Sequence, residues 1–201
     1  MPSGAQTRAR AVRQAAPWLN CHGYLTSSVA DILAATGLQK GGLYNHFPSK
    51  EALALEAFDY AFDQSSRRIS RAVEQYDDAG DRLLAFIGAF RSFLADPPIR
   101  GGCPVLNAAI EADHGHVGLR ARVRLAMDAW RGLLARTVRA GVERGELVPA
   151  ADPETVASVL ISALEGAVML GTLYGDSVHM QRATAHLEHY VECDLRRRQA
   201  D

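Results

Sequence analysis

Apolar residues recur along most of this chain at intervals of three and four positions, and the breaks in that pattern fall at Gly, Pro and Asp. Strict alternation of apolar and polar residues, the pattern typical of a half-buried strand, is lacking. We therefore predict an all-α fold of about nine helices. Asp152 followed by Pro153 is a strong start signal for one of them, because Asp caps a helix and Pro is preorganised in its first turn.

The predicted helices follow one another with short connections. They run from about Ala5 to His22 with a kink expected at Pro17, from Val29 to the stop at Gly37, from Gln39 to His46, from the Ser49 cap toward Tyr76, from Leu83 to before Asp96, from Val105 to about Asp113, from Leu119 to Arg144, from the Asp152 cap to about Tyr174, and from Val178 to about Leu195. The tail RRRQAD is expected to be frayed.

The segment from Ser27 to Lys50 carries the most specific signal. It reads as two short helices joined at Gly37, with Leu38 and Leu43 facing inward and polar side chains left outside. A short helix with such an outer face can enter the major groove of DNA. The segment therefore predicts a helix-turn-helix.

The order TxxVADIxxATGxxKGGLYxHFxSKExL, within roughly residues 8 to 60, resembles the DNA-binding region of the TetR family of bacterial transcriptional repressors. The resemblance implies an N-terminal three-helix DNA-binding domain at residues 1–50 and a helical ligand-binding and dimerisation domain at residues 51–201. It also implies phosphate contacts from Tyr44, His46 and Lys50. Gly42 stands where the family often has Thr or Ser, so a different base preference is expected.

The DNA-binding set combines base readers at the start of the third helix, close backbone approach, and phosphate contacts on either side. Gln and Lys are suited to adenine and guanine edges respectively. The predicted residues are Thr26, Ser27, Ser28, Gln39, Lys40, Gly41, Gly42, Tyr44, Asn45, His46 and Lys50.

Charge supports this assignment. The formal net charge is −1, but residues 1–50 carry five Lys or Arg against one acidic residue, Asp31. A basic end on an acidic molecule favours steering of that end toward phosphate. The isoelectric point of about 6.7 argues against a general nucleoid protein.

Other function classes find little support in the sequence. No signal peptide and no apolar run of membrane-spanning length stand out, which favours the cytoplasm and no membrane partner. The three cysteines are scattered, and His114 and His116 near Glu111 and Asp113 are more typical of a solvated loop than of a metal site. We expect no cofactor, no metal and no catalytic site, since no constellation supports the alternative of a helical enzyme.

We expect a homodimer that binds a palindromic operator, because one small DNA-binding domain makes few contacts. The eighth helix is apolar on several faces, so part of it should be covered by a partner. Within the family the last two helices commonly form a four-helix bundle between subunits. The predicted interface residues are Val156, Leu160, Leu164, Val168, Leu187, Tyr190 and Val191.

A pocket for an unknown small-molecule effector is predicted among helices four to eight, with apolar walls and a few polar groups. Its candidate residues are Phe62, Phe86, Phe90, Phe93, Cys103, Leu106, Asn107, Ile110, Glu111, Met127, Trp130, Glu165 and Met169. An alternative trigger is Cys103 itself, because a thiol beside a helix N-terminus can be reactive toward electrophiles or oxidants. Burial of Cys103 as a small apolar residue remains the competing interpretation.

Overall fold

The computed structural model describes residues 3–112 and 116–197. Within those ranges the chain forms nine α-helices, followed by a short π-helical segment at Tyr190–Leu195. The helices are α1 Gly4–His22, α2 Val29–Thr36, α3 Lys40–His46, α4 Lys50–Val73, α5 Ala79–Ala95, α6 Pro104–Ala112, α7 Val117–Arg144, α8 Pro153–Tyr174 and α9 Val178–His189. The predicted end of helix six at Asp113, the loop residue His114 and the tail from residue 198 lie outside the described residues.

The predicted all-α class is confirmed, and most helix ends lie within about three residues of their predicted positions. Ser49 and Asp152 cap α4 and α8 as expected, since their side chains accept the N–H groups of Ala52 at 3.1 Å and Thr155 at 2.8 Å. The chain stays helical through Pro17. The ninth helix changes to π geometry at Tyr190, and the N–H of Arg196 bonds the carbonyl of Val191 at 2.9 Å.

Contacts divide the chain into two compact units. Unit 1 comprises residues 1–65 and 97–126, and unit 2 comprises residues 66–96 and 127–201, in both cases for their described parts. The division falls inside α4 and α7 and groups α6 with the first three helices. It therefore does not coincide with the boundary at residue 50 expected from the sequence, because that expectation followed chain order rather than contacts.

The core of unit 1 holds the helix-turn-helix segment, residues 27–50, in place. Tyr24, Leu43 and Phe47 are at most 1% exposed, and Tyr24 meets Phe58 edge to face with ring centroids 5.6 Å apart. Burial raises the pKa of the Tyr24 phenol, so this side chain stays protonated and acts as a donor. The apolar residues that face inward from α1 to α4 therefore fix the third helix by its inner side.

Unit 2 is organised around α5, which packs against α8 and α9. Four aromatic rings, Phe86, Phe90, Phe93 and Trp130, form what we call the aromatic cluster. The Phe90 ring is central to it, with centroids 5.2 Å from Phe86, 4.8 Å from Phe93 and 5.4 Å from Trp130. All four side chains are at most 1% exposed, so the cluster is a main source of apolar burial in this unit.

One helix of the described residues, α8, is long and apolar enough to cross a membrane by length and composition alone. Its most apolar window has a mean hydropathy of 1.8, but half of that window is buried by the chain's own residues. The sequence reading that no such run exists is therefore wrong. Because the core helix of a soluble protein passes the same test, the feature is weak evidence for a membrane segment.

Candidate functional site

The outer face of α3 presents most of the predicted base-reading residues. Gln39, Lys40 and Asn45 are exposed, and the Tyr44 side chain is 46% exposed. The opposite face is anchored by Leu43, which is fully buried. Gly41 is exposed, whereas Gly42 and His46 are half-buried. The structure thus brings these residues together on one short helix, and the exposure of Tyr44 leaves its ring outside the core.

Two local features determine where α2 begins and ends. The Ser28 hydroxyl caps α2 by accepting the N–H of Asp31 at 3.2 Å, and the Asp31 carboxylate accepts the Ser28 N–H at 2.9 Å. Hydrogen bonds from Ser28 lower the pKa of Asp31, so the carboxylate of this reciprocal cap stays charged to a lower pH than an ordinary aspartate. Gly37 ends α2 with φ of 64°, a left-handed conformation that favours glycine.

The hydroxyl residues before α2 have distinct local partners. Ser27 is 5% exposed and donates its hydroxyl to the Gly23 carbonyl at 2.7 Å. Thr26 is exposed and donates to the His22 carbonyl at 3.0 Å. Thr26 and Ser28 are both exposed, so their hydroxyl groups can accept a further hydrogen bond at the surface or exchange the one that they donate. The buried position of Ser27 opposes the expected phosphate contact by its side chain.

Lys50, for which the resemblance implies a phosphate contact, lies at the start of α4 and is half-buried. Its ammonium group donates to the carbonyls of Leu25 at 2.7 Å and Ser27 at 3.0 Å. Arg8 is similarly engaged, because it pairs with Glu56 and its guanidinium lies 4.8 Å from the centre of the Phe47 ring. Both cations therefore hold unit 1 together.

Two polar residues assigned to the pocket, Asn107 and Glu111, bind instead to α1 and the turn that follows it. The Asn107 amide donates to the carbonyls of Asn20 at 3.0 Å and Gly101 at 2.8 Å. The Asn20 amide in turn donates to the carbonyls of Arg100 at 3.0 Å and Gly102 at 3.1 Å. Sequence reasoning missed this network because its partners are up to 87 residues apart.

The remaining pocket candidates are divided between the units. Unit 1 holds Phe62, Cys103, Leu106 and Ile110, and unit 2 holds Phe86, Phe90, Phe93, Met127, Trp130, Glu165 and Met169. Ile110 and Met169 are 61% and 47% exposed, so they line no enclosed cavity in this conformation. The Phe and Trp members of unit 2 form the aromatic cluster, and Glu165 is buried on α8 with 6% exposure.

A groove of about 220 Å³ lies between α5 and α7 in unit 2. Its walls are Arg82, Leu133, Arg136, Thr137, Ala140 and Arg144. None of the predicted pocket residues contributes to it. Its arginines were not singled out in the sequence, where they read as ordinary solvated positions of long helices.

The predicted interface residues are core residues of a single chain. Six of them, Val156, Leu160, Leu164, Val168, Leu187 and Val191, are at most 2% exposed, and Tyr190 is half-buried. Because the chain's own helices cover these six side chains, they offer no surface to a second copy, and the predicted interface is corrected at these six positions. The exposed apolar residues of α8 are instead Val159, Met169, Leu173 and Tyr174.

Cys103 directly precedes α6, as predicted, but its side chain is fully buried. The exposed thiols are those of Cys21 and Cys193. A reagent dissolved in water has no access to the Cys103 sulfur in this conformation. Burial therefore favours the interpretation of Cys103 as a small core residue.

Comparisons with known proteins agree with this geometry. Residues 12–57 match the family model for bacterial regulatory proteins of the tetR family, and residues 79–187 match the model for a tetracyclin repressor-like C-terminal domain. A crystal structure of a TetR transcriptional regulator from Chloroflexus aurantiacus is 42% identical, covers 98% of this chain and 99% of its own, and superposes with a TM-score of 0.94.

Two curated relatives extend the comparison. An uncharacterized HTH-type transcriptional regulator from Mycobacterium tuberculosis is 27% identical over 195 residues, covering 94% of this chain and 95% of its own. The HTH-type transcriptional repressor DhaR from Mycobacterium sp. is 27% identical over 147 residues, or 73% of each chain. With both family models matched and the whole fold shared, the chain belongs to the TetR family of bacterial transcriptional regulators.

Proposed function

We propose that the protein is a dimeric cytoplasmic repressor that binds a palindromic operator and is released from it by a small-molecule effector. The observation that carries the DNA-binding part is the exposed polar face of α3, supported from inside by buried Leu43. Gln39, Lys40 and Asn45 read base edges in the major groove. Tyr44 and His46 contact phosphates and fix the register of the helix. Gly41 and Gly42 leave room for the backbone to approach the DNA.

Replacing Lys40 with alanine should weaken operator binding by about 1–3 kcal/mol if its ammonium group reads a base edge. The duplex for this measurement is selected from a random-sequence library by the wild-type protein. Affinity is measured by titration at several salt concentrations, which gives the salt slope, the slope of log affinity against log salt concentration. Loss of a phosphate contact would also lower this slope by about one unit.

The control is Arg139→Ala, which removes one exposed cation from α7 in unit 2. It should leave both affinity and salt slope close to wild type. Wild-type affinity in the Lys40 variant would contradict the assigned role. Failure of the wild-type protein to select any sequence would contradict specific operator binding as a whole.

A stripe of residues along α8 supports dimer formation. We define the α8 stripe as Val159, Ser162, Gly166, Met169 and Leu173, spaced by three and four residues. Val159, Met169 and Leu173 are 44%, 47% and 71% exposed. Spaced in this way they share one side of the helix, and an apolar side in water is stabilised by burial against another copy. A two-fold axis would bring two such stripes together.

The dimer gives the operator its expected symmetry. Two reading helices related by a two-fold axis match half-sites about 34 Å apart, one turn of B-DNA. The effector releases DNA by favouring a conformation in which this spacing is lost. It must therefore bind the released conformation better than the DNA-bound one.

We place the effector at the aromatic cluster in unit 2, where apolar rings and the buried Glu165 carboxylate belong to the same compact unit. An apolar lining with few polar groups suits a small, mainly apolar molecule. A conformational opening would have to precede or accompany its entry, since the four rings are at most 1% exposed.

The two tryptophans allow a direct test, because Trp18 is 36% exposed while Trp130 lies in the cluster. In a Trp18→Phe variant, Trp130 becomes the single fluorescent tryptophan. Compounds that bind the protein in a thermal-shift screen and then release DNA in a binding assay should shift or quench its emission, because they contact or displace the neighbouring rings. Release of DNA with unchanged Trp130 emission would remove the cluster as the effector site.

A further inference from the structure

The turn between α1 and α2, residues 23–28, is bound by a carboxylate from α6. The Glu111 carboxylate accepts the backbone N–H groups of Tyr24 at 2.6 Å, Leu25 at 2.6 Å and Thr26 at 3.0 Å. Successive N–H groups that converge on one anion form a backbone nest, and each bond to a charged acceptor is stronger than a neutral one. This turn is therefore tied to a residue that lies more than 80 positions away in the chain.

Lys50 binds the backbone carbonyl groups of the same turn, whereas Glu111 binds its N–H groups. Its ammonium group donates hydrogen bonds to the carbonyl oxygens of Leu25 at 2.7 Å and Ser27 at 3.0 Å. Leu25 thus has its N–H on an anion and its C=O on a cation. Because rotation of the turn would break bonds on both sides, the two charges together fix its orientation.

Gly23 permits this close approach. Its φ is +100°, and an added Cβ would lie 2.1 Å from the Thr26 hydroxyl and 3.1 Å from a Glu111 carboxylate oxygen. Any other residue would be strained by both its backbone conformation and its contacts. The glycine therefore belongs to the same arrangement as the two charges.

A second attachment lies one helical turn earlier on α6. Asn107 donates to carbonyls of Asn20 and Gly101, as described above, and the Tyr24 hydroxyl donates to the Asn20 side chain at 3.1 Å. Residues 107 and 111 are four apart, so they lie on the same face of α6. A displacement of the end of α6 must break these bonds or move the turn with it.

We infer that Glu111 and Lys50 are positioning residues for DNA binding: Glu111 binds the N–H groups and Lys50 the carbonyl groups of the α1–α2 turn, so that the position of this turn, which leads into α2, depends on α6. This inference rests on the proposed function, since its consequence is the placement of the reading helix. It replaces two roles assigned from the sequence, the ligand-orienting role of Glu111 and the phosphate contact of Lys50.

The Glu111→Gln variant separates positioning from simple electrostatics. Removing a negative charge from a DNA-binding protein should by itself strengthen binding. Here the new amide nitrogen would face the N–H of Tyr24, donor against donor, and the turn would loosen. We expect operator affinity to fall about tenfold and hydrogen exchange at the amides of residues 24–26 to accelerate.

The matched control is Glu74→Gln, at an exposed carboxylate near the end of α4. It should leave affinity unchanged or slightly increased. Unchanged or tighter binding by Glu111→Gln, or unaltered exchange at residues 24–26, would overturn the inference. If this variant does not fold, Glu111→Asp carries the same test, since it keeps the charge but shortens the side chain by one methylene.

The Lys50→Met variant tests the other charge. Loss of a positioning group should weaken binding with the salt slope retained, whereas loss of a phosphate contact lowers the slope by about one unit. A fall of roughly half a unit or more would overturn the positioning role of Lys50. The double variant should lose less than the product of the two separate fold-changes, because both residues act on one turn.

All measurements use the full chain and the duplex selected by the wild-type protein. Wild-type binding together with an unaffected Glu111→Gln variant would refute this inference alone. Absence of any selected duplex would refute the proposed function instead.

Discussion

Replacing Gly166 with glutamate is expected to convert the proposed dimer to a monomer and to weaken operator binding by a factor of about 10²–10⁴. The glycine lies within α8 on the α8 stripe, and a Cβ at this position would meet no atom within 4 Å in the single chain. The new side chain therefore fits the subunit. In a two-fold dimer it would bring two carboxylates into an apolar interface, where unpaired charge is strongly unfavourable.

The loss of affinity follows from the loss of linked half-sites. Once the DNA-binding domain of one subunit is bound, that of its partner meets the second half-site at a high effective concentration. A monomer has to bind each half-site from solution. Sedimentation measures the association state, and titration of the selected duplex measures the affinity of the same preparation.

Gly88→Glu provides a matched control, because a Cβ at Gly88 of α5 would meet only the end of the Arg91 side chain, at 3.9 Å. That variant should remain dimeric and bind DNA normally. If Gly166→Glu stayed dimeric at micromolar concentration, the α8 stripe would not be the interface.

Replacing Phe90 with alanine should lower the free energy of unfolding by about 3–5 kcal/mol. Phe90 is fully buried and its ring is the common neighbour of Phe86, Phe93 and Trp130. Its removal deletes apolar burial and also leaves a cavity that a helical core closes only in part. Urea unfolding followed by circular dichroism, at one fixed protein concentration, gives the difference.

Tyr76→Ala is the control for an aromatic side chain, since Tyr76 is 45% exposed. Its effect should stay within about 0.5 kcal/mol, as for most surface substitutions. A loss of less than about 1 kcal/mol in Phe90→Ala would mean that the aromatic cluster contributes little to stability.

The helices and their ends could be predicted because their causes are local. Ser28 and Asp152 accept N–H groups three residues ahead, and Gly37 supplies the left-handed conformation at the end of α2. The outer face of α3 follows from the same short-range geometry once Leu43 faces inward. Each of these features depends on residues within about one helical turn.

The partners of charged and apolar side chains could not be predicted in this way. From the sequence, Lys50 is expected to contact phosphate and Glu111 to line the effector pocket, yet they bind backbone atoms 23 to 87 residues distant. Periodicity along α8 identified apolar positions such as Leu160 and Leu164, but it did not tell which side the same chain covers. Those positions proved to be core, and Val159 and Met169 were left exposed.

By itself, then, the sequence determined an all-α TetR-family regulator with a short helix predicted from Gln39 to His46, because helix propensity, capping and the family motif are encoded in neighbouring residues. The structure forms this helix at Lys40–His46. Only the tertiary structure decided that Lys50 binds backbone carbonyls, which apolar side of α8 the chain itself leaves exposed, and that α6 is bonded to the turn before α2. These features depend on distances between segments far apart in the chain. No local pattern carries that information until the helices pack.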